Sequence, residues 1–439
     1  MSNNRLLSWG RYPLFKQIPI NCNSKYELSE KLNFAKKNFG TTLPYGSGLS
    51  YGDSCLAASD HVIHTKSFDK YISFDSKNGL LRAESGVTFE EIISLILPHG
   101  WFLPVTPGTK YITLGGAIAN DIHGKNHHQK GSFGLFVKEF SLLRSDLGRI
   151  KCSPSENIEY FNSTIGGLGL TGIIEWVEIQ LTPILSSQVE CFKKIFHNLD
   201  EFFALSEKLD KKYEFCVSWV DCSAKGANLG RGVYIAGNFS KNGVLNTSNK
   251  KKFTMPFNPP FSLINKYSTK IFNQLYWFKN SSNEKKYNMS YDSFFYPLDS
   301  VLGWNKLYGP RGFQQYQCVI PEINAKEGIH QILDLVSRSG KGSFLAVIKR
   351  FGSIPSPGLL SFPIEGITLS LDFPNTDKLS SNLFKNIDSI LQSFGGRIYP
   401  AKDAHMSSKD FKPSYPLWSE LEKLRDPALM SHFWSRVTK

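Results

Sequence analysis

"TPGTKYITLGGAIANDIHGKN", residues 106–126, is the longest of three glycine-rich stretches in the first 175 residues. The other two are "PYGSGLSYGD" at 44–53 and "IGGLGLTGII" at 165–174. Glycine lets backbone N–H groups approach a phosphate closely, because no Cβ intervenes. None of the three is a GxGxxG that opens a helix in a βαβ unit, or a GxxxxGK[ST] loop, which argues against the Rossmann and P-loop folds. A tight turn would explain one such stretch, but three together indicate a pyrophosphate cradle for a large dinucleotide.

The composition is that of a globular protein with two or three domains. The chain has 439 residues, of which 41% are hydrophobic and 20% charged, so it can bury a sizeable core. It lacks an apolar run of about 18 residues, and the start, "MSNNRLLSWGRYPLF", lacks the apolar region of a signal peptide. The seven Cys are scattered without a CxxC pair, which favours free thiols in a reducing compartment. We therefore expect a cytoplasmic protein with neither a signal peptide nor a transmembrane segment.

Positive charge is concentrated in one segment, 225–290. The whole chain carries a formal charge of +13, and this segment has eleven Lys or Arg against one acid, a net +10 (11 − 1). It also holds eleven aromatic residues, including Phe257, Phe261 and Trp277. Basic residues interleaved with aromatic ones are typical of sites for an anionic membrane surface, a lipid phosphate or nucleic acid. A solvated insertion is the alternative, because charge runs usually form solvated faces.

Hydrophobic patterns divide the chain into three parts, 1–186, 187–395 and 396–439. The first mixes short alternating strands, such as "HVIHT" and "YISFD", with a helix at "TFEEIISLILPHG", where Thr88 and Glu91 have the spacing of a capping box. The second has longer helical patterns and strands in the order β-α-β-β-α-β, as in two halves of one antiparallel sheet backed by helices. The third has a short strand, "RIYPAKD", and helical segments. Because no βαβαβ repeat occurs, we predict an α+β fold.

Several of these motifs resemble those of a known superfamily. "YGSGLSYGD", "TPGT", "TLGGAIANDIHGKNHH" and "GGLGLTGII" are similar to the FAD-binding domain of the vanillyl-alcohol-oxidase (PCMH-type) flavoproteins. Within that superfamily, "GWNKLYGPRGFQQYQCVIP" (303–321), "LSFPIEGITLSLDFP" (360–374) and "FGGRIYPAKDAH" (394–405) resemble the oxidase subunits of the decaprenylphosphoryl-ribose epimerases. The resemblance runs in order along nearly the whole chain and is weakest across 225–290.

The resemblance implies an FAD-dependent oxidoreductase with a PCMH-type FAD-binding domain at 1–186, a substrate-binding domain at 187–395, and a segment, 396–439, that returns to the FAD domain. The implied reaction oxidises the 2-hydroxyl of a ribofuranosyl polyprenyl phosphate to a ketone. A separate NADH-dependent short-chain reductase would complete an epimerisation to an arabinosyl lipid for the cell wall. The implied position is the inner face of a bacterial plasma membrane, in contact with anionic lipid and not with nucleic acid. Two alternatives stay open: a soluble sugar or alditol oxidase of the same superfamily, and a non-catalytic basic protein that binds a membrane or nucleic acid.

The resemblance also assigns residues to FAD. They are Tyr45, Gly46, Ser47, Gly48, Leu49, Ser50, Tyr51, Gly52, Asp53, Ser54, Pro107, Gly108, Thr109, Thr113, Leu114, Gly115, Gly116, Asn120, Asp121, Ile122, His123, Gly124, Gly167, Gly172, Ile173, Ile174, Tyr399 and Lys402. Relatives that bond FAD through His carry that His in the first glycine-rich stretch, where this chain has Leu49. Leucine has no nucleophile, so we expect FAD to be held without a covalent bond.

The stretch "IANDIHGKNHH" (118–128) has three histidines, a spacing that by itself suggests a metal site. A zinc site needs three or four ligands that converge on one point. His127 and His128 are adjacent, and in an extended segment their side chains would point in opposite directions. We therefore expect no metal, and by resemblance a loop against the flavin with His123 close to the ring and the reacting centre. A buried structural histidine is the alternative.

Oxidising a secondary alcohol removes a hydride and a proton, so the reaction needs a proton acceptor. Lys402, in "YPAKD", matches the active-site lysine of the family, and His123 is the second candidate. A lysine desolvated beside a flavin could lose its proton near neutral pH, or stay charged and stabilise the reduced flavin. An ordinary ion pair with Asp403 is the alternative.

By resemblance, the substrate pocket is formed by Trp219, Tyr296, Gln315, Gln317, Lys349, Thr368 and Ser370. Gln315 and Gln317 alternate with Tyr316 in a strand, so the two glutamines should face the same side. Packing in the core is the alternative for any single aromatic residue or glutamine of this set. Ser370 and Thr368 stand where family members carry Cys and Asn. The ketone-forming step needs no thiol, so this departure concerns substrate selection and leaves the reaction class unchanged.

Overall fold

A computed structural model gives the fold and describes residues 6–247, 252–280, 284–375 and 378–439. The elements of the first part are β1 (Ile18–Asn21), α1 (Leu28–Phe39), β2 (Pro44–Tyr45), β3 (His61–His64), β4 (Tyr71–Asp75), β5 (Leu80–Glu84), α2 (Phe89–Ile96), β6 (Trp101–Phe102), α3 (Leu114–Ala119), α4 (His127–Lys130), β7 (Val137–Arg144), β8 (Gly148–Cys152), α5 (Ile158–Thr164), β9 (Ile173–Gln180) and β10 (Thr182–Pro183). Those of the remainder are β11 (Gln188–Phe196), α6 (Leu199–Leu209), β12 (Phe215–Val220), β13 (Gly232–Phe239), β14 (Phe253–Thr254), α7 (Lys266–Asn280), β15 (Lys285–Ser290), α8 (Tyr291–Phe295), β16 (Val301–Leu302), β17 (Phe313–Pro321), α9 (Glu322–Ser339), β18 (Val347–Phe351), β19 (Gly366–Pro374), α10 (Lys378–Ser393), β20 (Arg397–Ile398), α11 (Ser408–Ser414), α12 (Trp418–Leu424) and α13 (His432–Thr438).

The first part of the chain is built on two main sheets and a two-stranded pair of β6 with β10. Strand β3 pairs with β1 and β2 in a parallel three-stranded sheet, and β4-β5-β9-β7-β8 form an antiparallel five-stranded sheet. Helix α2 buries Phe89 and Ile92 in the same apolar cluster as Leu81 of β5. The predicted capping box is confirmed: Glu91 N donates to Thr88 Oγ1 (3.3 Å), and Thr88 N donates to the Glu91 carboxylate (2.8 Å).

One eight-stranded antiparallel sheet dominates the second part, in the order β15-β11-β13-β12-β18-β19-β17-β20. Its longest pairing joins β17 to β19, from Phe313 opposite Pro374 to Pro321 opposite Gly366. Helices α6, α9 and α10 pack on these strands, and their apolar side chains share one buried cluster with every second residue of β17 and β19. The predicted α+β fold, with an antiparallel sheet backed by helices, is therefore confirmed. These helices cover one face of the sheet and do not cover the opposite face.

The segment 396–439 packs against the first part of the chain. Strand β20, shorter than the predicted strand, pairs with β17 at the sheet edge. Thr42 and Leu429 form a β-bridge, and Arg436 of α13 forms ion pairs with Asp53 (2.7 Å) and Asp403 (2.9 Å). These are contacts expected of a segment that returns to the FAD domain. The domain boundaries near 186 and 395 stay predictions.

The basic segment 225–290 contributes two strands to the sheet and one helix to the surface. Strands β13 and β15 lie on either side of β11, and α7 packs against β13 through Trp277. Two of its lysines, Lys250 and Lys251, lie outside the described residues. Within the described ranges, no helix is both long enough and apolar enough to cross a bilayer.

One local prediction is wrong. Residues His127–Lys130 form α4, a single helical turn, where an extended segment was expected. The two rings nevertheless go to different partners: Gly352 N donates to His127 Nδ1 (3.2 Å), and His128 Nε2 lies 3.1 Å from the Tyr213 carbonyl oxygen. The side chains are separated by their tertiary partners and not by strand alternation.

Candidate active site

A cavity of about 920 Å³ lies between the first part of the chain and the eight-stranded sheet. Its volume is at the upper end of the range of about 300–1,000 Å³ for small-molecule and cofactor sites. Its walls come from all three glycine-rich stretches, from β17, β18 and β19, and from residues 399–402. Motifs that are far apart in sequence therefore meet in one place.

The first glycine-rich stretch has a backbone that other residue types could not adopt. Gly48 has a φ of +64°, and a Cβ at this position would lie 1.9 Å from the Tyr45 hydroxyl. A Cβ on Gly52 would lie 1.6 Å from the Asp403 carbonyl oxygen, so this loop and the C-terminal segment touch backbone to backbone. At Gly108, which lines the cavity, a Cβ would have nothing within 4 Å. The second stretch therefore presents open backbone to a ligand.

Three buried polar atoms of cavity-lining residues have no hydrogen-bond partner among the described residues: Ser54 Oγ, Ser85 Oγ and His123 Nδ1. Buried polar groups are nearly always hydrogen-bonded, and leaving one unsatisfied costs about 1–3 kcal/mol. A bound molecule with many polar atoms would supply the missing partners. The wall therefore fits a large polar ligand such as a dinucleotide.

Most of the residues predicted to contact FAD line the cavity. They are Tyr45, Gly46, Ser47, Gly48, Leu49, Ser50, Tyr51, Ser54, Pro107, Gly108, Thr109, Thr113, Gly115, Gly116, Asn120, Ile122, His123, Gly172, Ile173, Ile174, Tyr399 and Lys402. The others, Gly52, Asp53, Leu114, Asp121, Gly124 and Gly167, are not on the wall. Asp121 accepts hydrogen bonds from Ser356 Oγ (2.6 Å) and Gly134 N (2.8 Å), and Asp53 pairs with Arg436. Both carboxylates fix the loops that carry the wall.

Three neighbouring strands supply the far wall through alternating residues: Gln315 and Gln317 of β17, Thr368 and Ser370 of β19, and Val347 and Lys349 of β18. Ser370 pairs with Gln317 on one side and with Val347 on the other. Lys349 pairs with Thr368. Because side chains alternate along a strand, these residues share the face opposite the helices. The prediction that the two glutamines face the same side is confirmed.

Trp219 and Tyr296 do not line the cavity, contrary to their predicted place in the substrate pocket. Trp219 packs against Tyr276 of α7, with 4.6 Å between ring centroids, and donates to the Phe344 carbonyl oxygen (3.0 Å). The Tyr296 hydroxyl lies 2.6 Å from Thr106 Oγ1 in the core. Both rings are therefore packed in the core, as the core-packing alternative predicts for single aromatic residues.

His123 lies where the second glycine-rich stretch meets the sheet. Its Nε2 is 3.0 Å from the Gln317 side-chain nitrogen. Burial and the nearby positive charge of Lys349 lower the pKa of His123 well below its ordinary value, so the imidazole is neutral at pH 7. With Gln317 donating to Nε2, the proton sits on Nδ1, which has no partner among the described residues. This N–H is available to a bound molecule.

Lys402 lies on the wall with Nζ 3.4 Å from the centroid of the Tyr51 ring. Burial lowers the pKa of Lys402 to about 7, although the Asp372 carboxylate acts in the opposite direction. Asp403, its alternative ion-pair partner, pairs instead with Arg436. An ion pair with the neighbouring residue therefore does not explain Lys402, and both its charged and neutral forms are accessible at pH 7.

Asp372 is a buried residue near the site, and it was not among the residues predicted from the sequence. It follows Ser370 by two positions in β19, accepts a hydrogen bond from Gln315 Nε2 (2.5 Å), and its Oδ2 has no partner among the described residues. Burial raises the pKa of Asp372 to about 7, against the effects of Gln315 and Lys402. The alternation in "TLSLD" was the signal that would have placed it beside Ser370.

Two further lysines next to the site are desolvated. Lys349 Nζ donates to the Gly124 carbonyl oxygen (2.8 Å), and Lys125 Nζ donates to the Phe294 carbonyl oxygen. Burial lowers the pKa of each to about 7. Lys349 lines the cavity, whereas Lys125 lies behind it. An anionic ligand would favour the protonated form of Lys349 and so place a positive charge in the cavity.

One group of potential metal ligands occurs in the described part of the chain, formed by His128, Asp210 and Cys216 within 4.8 Å of one another. The Asp210 carboxylate already accepts a hydrogen bond from Tyr234 and lies 3.3 Å from the Arg350 guanidinium. A neighbouring cation competes with a metal ion for the same oxygens. The group lies off the cavity wall, and the expected absence of a metal stays a prediction.

Comparison with known proteins identifies the dinucleotide as FAD. A family model described as "FAD binding domain" matches residues 17–153. The chain is 33% identical to decaprenylphosphoryl-β-D-ribose oxidase of Mycolicibacterium smegmatis, over 97% of this chain and 95% of that protein. Shorter similarities reach L-gulonolactone oxidase of Bos taurus (26% identity, 46% of each chain) and Δ(24)-sterol reductase of Homo sapiens (30% identity, 26% of this chain and 22% of that protein). The chain belongs to the decaprenylphosphoryl-β-D-ribose oxidase family of FAD-dependent oxidoreductases.

Proposed function

We propose that the protein oxidises the 2-hydroxyl of a ribofuranosyl polyprenyl phosphate to a ketone, as the first half of an epimerisation to the arabinosyl lipid. The observation that carries this proposal is a cavity whose lining combines the glycine-rich stretches, polar side chains of the sheet and Lys402. The similarity to the Mycolicibacterium smegmatis oxidase along nearly the whole chain supports the choice of substrate.

FAD, when bound, accepts the hydride from the carbon that carries the hydroxyl. The protein has to orient that C–H bond, exclude water and receive the hydroxyl proton. Lys402 Nζ is suited to receive it, because burial brings its pKa to about 7. The Nδ1–H of neutral His123 is suited to donate a hydrogen bond to the reacting oxygen while Gln317 holds the ring.

The rest of the sheet face suits a phosphorylated sugar. Gln315, Thr368 and Ser370 present donors and acceptors to sugar hydroxyls on one side of the cavity. Lys349 adds a cation that a phosphodiester would favour, since a nearby negative charge raises a lysine's pKa. A soluble alditol would use the hydroxyl partners and leave Lys349 without a counter-ion.

The 2-keto product becomes the arabinosyl epimer only when a hydride is added to the opposite face of the sugar, which calls for a separate reductant. We infer that an NADH-dependent short-chain reductase completes the epimerisation. A polyprenyl-linked substrate also favours peripheral contact with anionic lipid at the inner face of a bacterial plasma membrane.

Anaerobic bleaching of the visible flavin absorbance tests the substrate. We expect bleaching with a short-chain polyprenylphosphoryl ribose, and little with the matched arabinosyl epimer, because its C2–H points away from the hydride acceptor. The prenyl phosphate without sugar should leave the absorbance unchanged. Bleaching by free alditols but not by the ribosyl lipid would favour the soluble-oxidase alternative. A colourless purified protein would contradict both enzymatic functions and favour the non-catalytic basic protein.

A further inference from the structure

Helix α7 is apolar on the side that faces away from the core. Its inner side buries Thr269, Asn273 and Trp277. Tyr267, Ile271 and Leu275, also spaced by four residues, are 76%, 61% and 63% exposed. At 3.6 residues per turn these three form one stripe opposite the buried one. A surface helix normally turns polar residues outward, so this stripe is unusual for a helix in contact only with water.

Lysines border the exposed stripe. With about 100° of rotation per residue, Lys270 and Lys279 lie about 100° and 80° from Ile271, on opposite sides of it. Both are exposed, and α7 contains no acidic residue. An apolar stripe between lysines is the arrangement of helices that lie in the interface of a bilayer, with apolar side chains among the acyl chains and lysines at anionic headgroups.

The chain just before α7 extends this apolar surface. Phe253, Phe257 and Phe261 are 59%, 56% and 65% exposed. Soluble monomers rarely expose large contiguous apolar patches, and aromatic side chains are favoured at the membrane interface. The loop 253–263 and α7 together therefore present nine large apolar side chains, these six among them, and flanking lysines to the outside of the molecule.

This surface adjoins residues that line the active-site cavity. Strand β14 pairs with β16, and both residues of β16, Val301 and Leu302, line the cavity. Lys306 Nζ donates to the Met255 carbonyl oxygen (3.1 Å), which fixes the loop 253–263 to the segment that follows β16. A membrane that contacts the loop would therefore lie close to the cavity.

We propose that α7 and the loop 253–263 form a docking surface for a bilayer of anionic phospholipid, and that docking brings the cavity close to the membrane. Charge complementarity selects the occupant, because the apolar residues are bordered by lysines and an anionic surface attracts them. The part of the inference that concerns substrate entry rests on the proposed function: a lipid-linked sugar would reach the cavity without moving its prenyl chain through water.

Flotation of the FAD-loaded protein with vesicles tests the docking surface. We expect binding to phosphatidylcholine vesicles that contain phosphatidylglycerol, weaker binding to phosphatidylcholine alone, and a decrease with salt, because exposed charges are screened over about 10 Å at 0.1 M. Lys270→Gln with Lys279→Gln should weaken binding about 25-fold, at roughly five-fold per lysine. Ile271→Glu with Leu275→Glu should abolish it.

Ile323→Glu is the matched control, because Ile323 is 91% exposed on α9, outside the proposed surface. Its binding should equal that of the parent. The inference is overturned if the parent ignores anionic vesicles, if the α7 variants bind like the parent, or if the parent prefers a DNA duplex to the vesicles.

Flavin bleaching by a water-soluble short-chain substrate separates this inference from the proposed function. The α7 variants should bleach at the parental rate with that substrate and more slowly with a long-chain substrate in vesicles. Loss of both reactions would mean that the variants damage the site, which contradicts a role confined to docking. Vesicle binding by a parent that no ribosyl lipid bleaches would leave docking intact and refute the proposed function.

Discussion

The charge of Lys402 decides between its two roles. Burial brings its pKa to about 7, so protonated and neutral forms are both populated at neutral pH. The neutral form can accept the hydroxyl proton, and the charged form can stabilise reduced flavin. Cation–π contact with Tyr51 favours the charged form, whereas desolvation favours the neutral one.

Lys402→Ala should retain FAD and slow flavin reduction by substrate about 10²–10⁴-fold, the usual contribution of a general acid or base. Arginine keeps the charge but cannot release its proton at this pH. A base role predicts that Lys402→Arg is as slow as Lys402→Ala, and an electrostatic role predicts partial rescue. Stopped-flow absorbance measures both, and a parental rate in Lys402→Ala would move the proton acceptor to His123 or to solvent.

The pH profile of flavin reduction should respond to Asp372. If neutral Lys402 is the base, the rate rises as pH increases through about 7 and then levels off. The Asp372 carboxylate raises the pKa of Lys402, so Asp372→Asn should shift this rise to lower pH. Ser370→Cys, on the same face of β19, changes no charge at neutral pH and should leave the rise in place. A rate that falls through pH 7 would instead assign the reactive form to the charged lysine.

At this scale, residues carried by recognisable motifs were predictable and residues selected by packing were not. The motifs located Lys402 and His123, which both line the cavity. Asp372 was missed because a lone carboxylate in a strand has no motif, and its environment exists only after β17 pairs with β19. Trp219 and Tyr296 were misplaced because a short stretch of sequence does not show which neighbour will cover an aromatic ring.

Among the structural elements, the first glycine-rich stretch predicts that FAD is held without a covalent bond. Leu49 lines the cavity at the position where related flavoproteins carry a bonding histidine. Leucine offers no nucleophile, so acid or heat denaturation should release all the flavin as intact FAD into the supernatant. Chromatography of the supernatant and absorbance of the washed pellet measure the distribution. Flavin that remains with the pellet would reveal a covalent bond to another residue.

Local sequence signals predicted elements well where they were strong. The capping box at Thr88 marks the start of α2, and the longer helical patterns predicted within 187–395 correspond to α6, α9 and α10. Helix α4 was missed, because four residues are too few to show a helical period and its histidines are held by Gly352 and Tyr213. The pairing order of the eight strands joins residues far apart in sequence, so local patterns could not specify it.

At the scale of the whole molecule, the C-terminal segment closes the site. The Arg436 guanidinium bridges Asp53, next to the first glycine-rich turn, and Asp403, next to Lys402. Both carboxylates are buried, and Gly52 packs on the Asp403 backbone. One ion-pair network therefore holds the wall of the cofactor site and the segment with the proposed proton acceptor in fixed relation.

Arg436→Met should destabilise the protein by about 3–5 kcal/mol, because it leaves buried Asp53 without its cation and buried Asp403 with His405 alone. Burial would raise the pKa of Asp403, but Arg436 and His405 hold it below its ordinary value in the parent. Burial already raises the pKa of Asp53 in the parent although Arg436 acts against it, so without Arg436 the folded protein would bind a proton at Asp53 more tightly still than the unfolded chain does. The stability of the variant should then increase as pH falls, so its deficit should be larger at pH 8 than at pH 5.

Urea unfolding at the two pH values, with released FAD measured in parallel, checks this prediction. Arg338→Met is the matched control, because Arg338 is 75% exposed and forms a helical ion pair with Asp334 that should be worth about 0.5 kcal/mol or less at either pH. If the network fixes the cavity wall, FAD should leave Arg436→Met at lower urea than the loss of secondary structure, because the loop at Gly52 loses its anchor before the sheet unfolds. Equal deficits at pH 5 and pH 8, with FAD retained until global unfolding, would mean that backbone packing at Gly52 holds the wall without help from the ion pairs.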